Sequence, residues 1–218
     1  MSTDQGSTST DQDQITVYSD YVCPFCYLGK RSLEAYQGRR EDDLAVEWHP
    51  FDLRGHKRGP DGEIDDSVED GKDDAYFEQV RENVARLREK YDAGEMLDLD
   101  DLPDDVDSLS AQVASLYVKT EHPDQWPAFD DAVFEALWVD GRDIGDVDVL
   151  ADVAETVGLD GAEIRDAVAD GDLRDRLQES FADARQAGVT GVPTFVYGGH
   201  AARGAVPPEQ LRRLVEGA

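Results

Sequence analysis

Hydrophobic and polar residues alternate near both ends of the chain, whereas the middle of the chain has the spacing of helices. Residues 15–20 alternate and are rich in β-branched side chains, and residues 44–51 are similar, so both segments predict strands. Residues 194–197 predict a third strand, and Gly198-Gly199 predicts a tight turn into a weaker strand at 200–203. We expect the first two strands to be parallel and the last two to form an antiparallel hairpin.

Helical spacing dominates the rest of the chain. From residue 75 onward, Tyr76, Val84 and Leu87 mark one face of a predicted helix. Residues 52–74 contain few apolar side chains and predict a loop. The other predicted helices cover residues 24–38, 109–120, 126–139, 147–157, 162–168, 173–187 and 207–215. These patterns predict an α/β fold in which a β-α-β half and a β-β-α half flank a long helical block.

Charge is strongly unbalanced along the whole chain. It contains 50 acidic and 21 basic residues, for a formal net charge of -29. Such a charge destabilises a compact fold by self-repulsion, and molar salt, with a Debye length of about 3 Å, removes most of that cost. Because the acids recur from Asp11 to Glu216, we favour adaptation to a salt-rich cytoplasm over a local surface that binds a basic partner. Nucleic acid is excluded as a partner because its phosphates would be repelled.

Neither an export signal nor a membrane span is visible. Residues 1–14 have no basic start and no apolar core, and they predict a disordered polar tail. No apolar stretch approaches the roughly 20 residues that span a bilayer. We therefore expect a soluble, cytoplasmic protein with no membrane partner, either a monomer or a homodimer.

Both cysteines of the chain lie in the segment Cys23-Pro24-Phe25-Cys26, directly after the first predicted strand. Pro24 suits the first position of a helix, and that helix would direct unpaired N–H groups and the positive end of its dipole at Cys23. This arrangement stabilises a thiolate, which is the nucleophile in disulfide exchange. We expect Cys23 to be the exposed nucleophile and Cys26 to resolve the mixed disulfide.

Metal binding and a purely structural disulfide are weaker interpretations of this cysteine pair. A structural zinc ion prefers four ligands, and a bridge across so small a loop would constrain little chain. We predict no metal and no cofactor. The remaining candidate zinc ligands are four histidines scattered along the sequence: His49, His56, His122 and His200.

A second motif spans residues 188–195, Gly-Val-Thr-Gly-Val-Pro-Thr-Phe. A proline between a glycine-rich turn and a strand is a candidate cis-proline, and the upstream Cys-x-x-Cys favours that form over the commoner trans form. Pro193 has no N–H to donate, and the backbone of Val192 would be able to pair with an extended substrate strand. We expect the Val192–Pro193 bond to be cis and to lie against the cysteines.

The two motifs together resemble a known family. Residues 19–30, Ser-Asp-Tyr-Val-Cys-Pro-Phe-Cys-Tyr-Leu-Gly-Lys, are similar to the active-site segment of the DsbA-like thioredoxin-fold family, FrnE branch, and residues 188–195 resemble its cis-proline segment. The similarity covers about residues 15–215. It implies a thioredoxin-like fold with a large all-helical insertion domain. The implied parts are thioredoxin-fold halves at residues 15–60 and 181–218 and the helical insertion at 61–180.

The resemblance also implies thiol–disulfide oxidoreductase activity on protein substrates, with a low-molecular-weight thiol or a reductase for recycling. Phe25 stands where strongly oxidising DsbA proteins have a histidine, which predicts a less oxidising cysteine pair. Two alternatives remain open. One is a thiol-dependent isomerase or transferase of the 2-hydroxychromene-2-carboxylate isomerase or kappa glutathione transferase type, although those proteins usually have a serine where Cys23 stands. The other is a non-enzymatic chaperone.

Three further residues are weaker candidates for tuning the cysteines. Asp20 lies three residues before Cys23, but in so acidic a chain we interpret it as a surface residue. Lys30, one of few lysines, could act electrostatically at the site. His49, on the second predicted strand, is interpreted as a packing or rim residue.

Overall fold

The computed structural model contains one mixed four-stranded sheet in its described part. It describes residues 13–59, 62–65, 67–69 and 71–217. Its strands are β1 (Gln14–Ser19), β2 (Ala45–Pro50), β3 (Thr194–Tyr197) and β4 (His200–Arg203). They lie in the order β2-β1-β3-β4, with β1 parallel to β2 and β3 antiparallel to both β1 and β4. The predicted parallel pair and the predicted hairpin are therefore confirmed.

Eight α-helices accompany the sheet in the described part of the chain. They are α1 (Pro24–Gln37), α2 (Asp74–Lys90), α3 (Leu109–Glu121), α4 (Trp126–Trp138), α5 (Val147–Thr156), α6 (Gly161–Ala169), α7 (Gly171–Gln186) and α8 (Pro208–Glu216). The acidic sequence itself begins several of them, because an aspartate carboxylate accepts otherwise unpaired N–H groups at the first turn. The capping residues of α2, α5, α6 and α7 are Asp73, Asp146, Asp160 and Asp170.

The hydrophobic core has two main parts. Leu33, Phe195 and Leu211 belong to a cluster formed by the sheet, α1 and α8. A larger cluster joins the active-site segment to the helical block, from Cys23 to residues such as Phe129. The cysteines therefore lie where the sheet meets the helices. The fold class predicted from the sequence, a thioredoxin-like α/β fold with a helical insertion, is confirmed, whereas the division at residues 60 and 180 stays a prediction.

Two predictions about the chain need correction. Gln14, assigned to the polar tail, is the first residue of β1, and the rest of that tail apart from Asp13 lies outside the described residues. Tyr76, predicted to share one apolar face of α2 with Val84 and Leu87, is 46% exposed. The first turns of α2 extend beyond the core, and only Val84 and Leu87 of this helix are buried.

The predicted loop at residues 52–74 contains some regular structure. A 3-10 turn covers Gly55–Lys57, and Arg58 forms an isolated bridge with Ile64. The Arg58 guanidinium donates to Asp52 and to Asp107, each at 2.8 Å. These bonds fasten the loop to the segment that precedes α3. No helix in the described part of the chain combines the length and the apolar content that a bilayer span requires.

Candidate active site

Cys23 and Cys26 occupy the first turn of α1, directly after β1. Cys23 is the N-cap residue with extended backbone angles, φ -90° and ψ 113°, and Pro24 begins the helix. The N–H of Cys26 donates to the carbonyl oxygen of Cys23 at 2.9 Å, which closes the turn. Both cysteines are free thiols. This is the placement that the sequence predicts for a dithiol at a strand-to-helix junction.

The expected exposure of Cys23 is wrong. Cys23 is 3% exposed and Cys26 is 2% exposed. Cys23 belongs to the larger hydrophobic cluster, against which Phe25, Leu53 and Val192 also pack. Phe25 therefore shapes an apolar surround for the sulfur.

The cis-proline motif meets the cysteines although about 170 residues separate them in sequence. The Val192–Pro193 bond is cis, as predicted. Cys23 Sγ lies 3.6 Å from the carbonyl oxygen of Val192. Pro193 packs on α1 at Gly29, where an added Cβ would lie 2.9 Å from Pro193 Cγ. The absence of a side chain at Gly29 thus allows the proline loop to approach the helix that carries both thiols.

The surroundings of Cys26 raise the pKa of its thiol. Burial raises the pKa of the Cys26 thiol, and the neighbouring Cys23, by its hydrogen bond and its charge, raises it further. The N–H of Asp20 and the hydroxyl of Ser19 lower it, but by less. The Cys26 thiol is therefore held in its protonated form. A mixed disulfide at Cys23 would remove the two contributions of Cys23 to the raised pKa of Cys26.

Asp20 is a structural part of the site, not the surface residue that the composition favoured. Its side chain is 1% exposed. One carboxylate oxygen accepts from Ser108 Oγ at 2.5 Å and the other from the N–H of Leu53 at 2.8 Å. Its own carbonyl accepts from the N–H of Cys23 at 3.1 Å. Burial raises the pKa of Asp20 to about 6, against the lowering effect of these hydrogen bonds.

Lys30 and His49 make polar contacts with residues other than the cysteines. Lys30 Nζ lies 2.7 Å from a carboxylate oxygen of Asp130 and 2.5 Å from one of Asp131. Asp130 also accepts from the hydroxyl of Tyr21 at 2.8 Å, so this ion pair ties α1 to α4 and to the active-site segment. His49 is half-buried on β2, with its ring 4.6 Å from that of Tyr18 and Nδ1 3.1 Å from the Pro50 carbonyl oxygen.

Cys23 lies in a groove of about 740 Å³, here called the active-site groove. Cys23, Phe25 and Val192 form part of its lining, and α2 contributes Tyr76 and Phe77. Both aromatic side chains are 46% exposed, and their rings make an edge-to-face contact at 5.5 Å. Exposed aromatic side chains beside a reactive group suit a ligand with apolar surface.

Cys26 lines a different cavity of about 460 Å³, here called the rear pocket. The rear pocket shares no lining residue with the active-site groove in the described part of the chain. Ser19, Trp48 and Asp130 lie on its wall, and α1 contributes Cys26 and Lys30. The two sulfurs thus open toward different spaces.

Sequence reasoning overlooked two serines at the site. Ser19 ends β1 in a buried position, and its place on the same alternating face as Ile15 and Val17 was a usable signal for it. Ser108 lies 88 residues from Asp20 in sequence, and no local pattern indicates their contact. Within the described ranges, no group of three or more histidine, cysteine or acidic side chains could hold a metal ion.

The fold and the paired thiols define a thioredoxin-type dithiol site. The chain belongs to the DSBA-like thioredoxin domain family, whose model matches residues 14–216. YwbO of Bacillus subtilis (strain 168) is similar, with 29% identity over 203 residues that cover 92% of this chain and 94% of YwbO.

Two solved structures show the same fold. SCO1869 of Streptomyces coelicolor, described as a probable DsbA oxidoreductase, has a TM-score of 0.74 at 24% identity, covering 94% of this chain and 90% of its own. A 2-hydroxychromene-2-carboxylate isomerase also has a TM-score of 0.74, at 20% identity, covering 94% and 93%. At these identities the two likenesses establish the fold alone.

Proposed function

We propose that this protein is a thiol–disulfide oxidoreductase that acts on disulfides of polypeptides in a salt-rich cytoplasm. The observation that carries the proposal is the position of the thiols: Cys23 lines the active-site groove, and Cys26, one helical turn further along α1, has a raised pKa. Membership of the DSBA-like thioredoxin domain family supports the same chemistry.

The reaction proceeds by two exchanges of sulfur bonds. The Cys23 thiolate attacks one sulfur of the substrate disulfide, forms a mixed disulfide and releases the other sulfur as a thiolate. Cys26 then loses its proton and attacks Cys23 Sγ, which releases the second substrate thiolate. The substrate gains two electrons and takes up two protons, and the enzyme dithiol becomes the Cys23–Cys26 disulfide. A low-molecular-weight thiol or a dithiol reductase returns the enzyme to the reduced form.

Two features of the active-site groove favour a polypeptide over a small molecule. No backbone group among the described residues pairs with the N–H or the carbonyl of Val192, and the carbonyl accepts from Cys23 Sγ at 3.6 Å, so an extended chain could pair with the free N–H of Val192. Tyr76 and Phe77 supply apolar contact area that a polypeptide side chain would cover. Both groups face the cavity that contains Cys23.

Reduction of insulin in molar potassium chloride tests the proposal. The reduced wild-type protein should cleave insulin disulfides, and Cys23→Ser should abolish the activity because the attacking thiolate is lost. Cys26→Ser is the matched control: it should still attack, but it should accumulate a mixed disulfide that mass spectrometry detects.

Three results would contradict the proposal or favour an alternative. Equal activity of wild type and Cys23→Ser would refute the proposed role of Cys23. Activity only with a low-molecular-weight thiol and an aromatic electrophile would support the isomerase or transferase alternative. Suppression of aggregation by the double Cys→Ser variant, without any reductase activity in the wild type, would support the chaperone alternative.

A further inference from the structure

A second large cavity adjoins the active-site groove. It has a volume of about 980 Å³ and is lined in part by Arg174 and Arg185 of α7, and we call it the arginine pocket. The arginine pocket and the active-site groove share a wall that includes Leu53 and Thr190. Thr190 is only two residues from Val192, whose carbonyl oxygen lies beside Cys23 Sγ. A chain paired with the backbone at Val192 can therefore continue into the arginine pocket.

The described lining of the arginine pocket is mainly basic, whereas the chain as a whole has a net charge of -29. Arg174 and Arg185 are exposed, and neither forms an ion pair with a carboxylate of the described residues. Among the described residues, the Arg174 guanidinium donates one bond, to the carbonyl oxygen of Val168 at 3.2 Å, and its other N–H groups remain available. Asp52 is the one acidic residue among the described lining residues, and Arg58 binds both of its oxygens, at 2.8 and 3.3 Å.

The rear pocket provides an internal comparison. Glu34, Asp130 and Asp131 line that cavity, with Lys30 as its basic residue. In a chain with 50 acidic and 21 basic residues, an acidic lining is the expected composition of a cavity wall. The arginine pocket, which adjoins the groove that contains Cys23, has a basic lining instead. A pair of guanidinium groups at the substrate side of the site is suited to carboxylates, which arginine binds through two parallel hydrogen bonds.

We propose that the arginine pocket binds aspartate and glutamate side chains that flank the disulfide of a polypeptide substrate. The inference rests on the proposed disulfide exchange at Cys23, and it names the substrate class as acidic polypeptides. The polypeptide is anchored at Val192 and at the aromatic pair of α2, and its carboxylates then reach Arg174 and Arg185. The basic lining compensates for the repulsion that a chain of net charge -29 exerts on an acidic substrate.

Matched peptides test the inference. Three peptides with one identical disulfide are prepared, flanked by glutamate, by glutamine or by lysine, and kcat/KM for their reduction is measured in moderate salt. The glutamate peptide should react about 2- to 30-fold faster than the glutamine peptide, as expected for two exposed ion pairs. In the double variant Arg174→Gln/Arg185→Gln, the glutamate peptide should lose this advantage and react no faster than the glutamine peptide.

Arg176→Gln is the matched control, because Arg176 is exposed on the same helix and lines neither the active-site groove nor the arginine pocket. It should keep the preference for glutamate. Equal rates for the three peptides in the wild type, or an equal loss of preference in Arg176→Gln, would overturn the inference.

A neutral small disulfide separates this inference from the function on which it rests. Wild type and the double variant should reduce 2-hydroxyethyl disulfide equally. If the wild type reduces neither this compound nor any peptide, the proposed function fails and takes the inference with it. If it reduces all substrates without discrimination, the inference alone fails.

Discussion

Replacing Asp20 with asparagine should change how the free energy of unfolding depends on pH. Burial raises the pKa of Asp20 from 3.8 to about 6 in the folded protein. The folded state therefore holds this proton more tightly than the unfolded chain does. The stability that Asp20 contributes is fully present below about pH 4 and is lost as the pH rises through about 6. A pKa difference of this size corresponds to at most about 3 kcal/mol.

Urea unfolding at constant molar salt, followed by tryptophan fluorescence between pH 4 and 8, measures the effect. Asparagine does not ionise, so Asp20→Asn does not share this loss of stability. The free energy of unfolding of Asp20→Asn minus that of the wild type should therefore increase by up to about 3 kcal/mol between pH 4 and pH 8. Asp20→Asn also loses part of the bonding to Ser108 and Leu53, which adds an offset that does not vary with pH. Asp124→Asn removes an exposed carboxylate and controls for the change in net charge.

A difference between Asp20→Asn and wild type that stays constant from pH 4 to 8 would refute the reasoning, because it would mean that Asp20 ionises alike in both states. Ser108→Ala supplies an internal test. The Ser108 hydrogen bond lowers the pKa of Asp20, so its removal should move the loss of stability to a higher pH. A shift to lower pH would show that the bond favours the protonated carboxyl.

Two further predictions concern packing and salt. Gly29→Ala should destabilise the protein by about 1–3 kcal/mol in urea unfolding, because the added Cβ would lie 2.9 Å from Pro193 Cγ. Gly171→Ala is the control and should not destabilise it, because no atom lies within 4 Å of the added Cβ. Equal effects of the two substitutions would contradict the close packing at Gly29. Lowering the salt concentration from molar to millimolar should lower the melting temperature steadily, because a net charge of -29 loses its screening; an unchanged melting temperature would contradict the expected salt adaptation.

The sequence predicted those parts of the molecule that depend on local pattern. The strands, the helix that begins at Pro24 and the two motifs each have a signature within about ten residues. The meeting of Cys23 with Val192 also followed, because two local motifs of one family imply a common fold. The thioredoxin-like architecture therefore follows from local sequence patterns.

The parts that escaped prediction depend on contacts distant in sequence. The burial of Asp20 requires Ser108 and Leu53 as hydrogen-bond partners, and composition made every aspartate look solvated. The exposure of Tyr76 was missed because a helical period identifies a face but not how far along the helix that face is covered. The burial of Cys23 was missed because its position at a helix start says nothing about the packing of Phe25 and Leu53 around the sulfur.

The separate cavities of Cys23 and Cys26 have a consequence for the timing of proton transfer. In the proposed mechanism, a polypeptide bound in the active-site groove covers Cys23 and excludes water from it. The rear pocket stays open during that interval, and Cys26 lies on its wall beside Ser19. The proton that Cys26 gives up before it attacks can leave through this second opening. Cys26 can therefore be deprotonated while the substrate is still bound at Cys23, as the proposed attack on Cys23 Sγ requires.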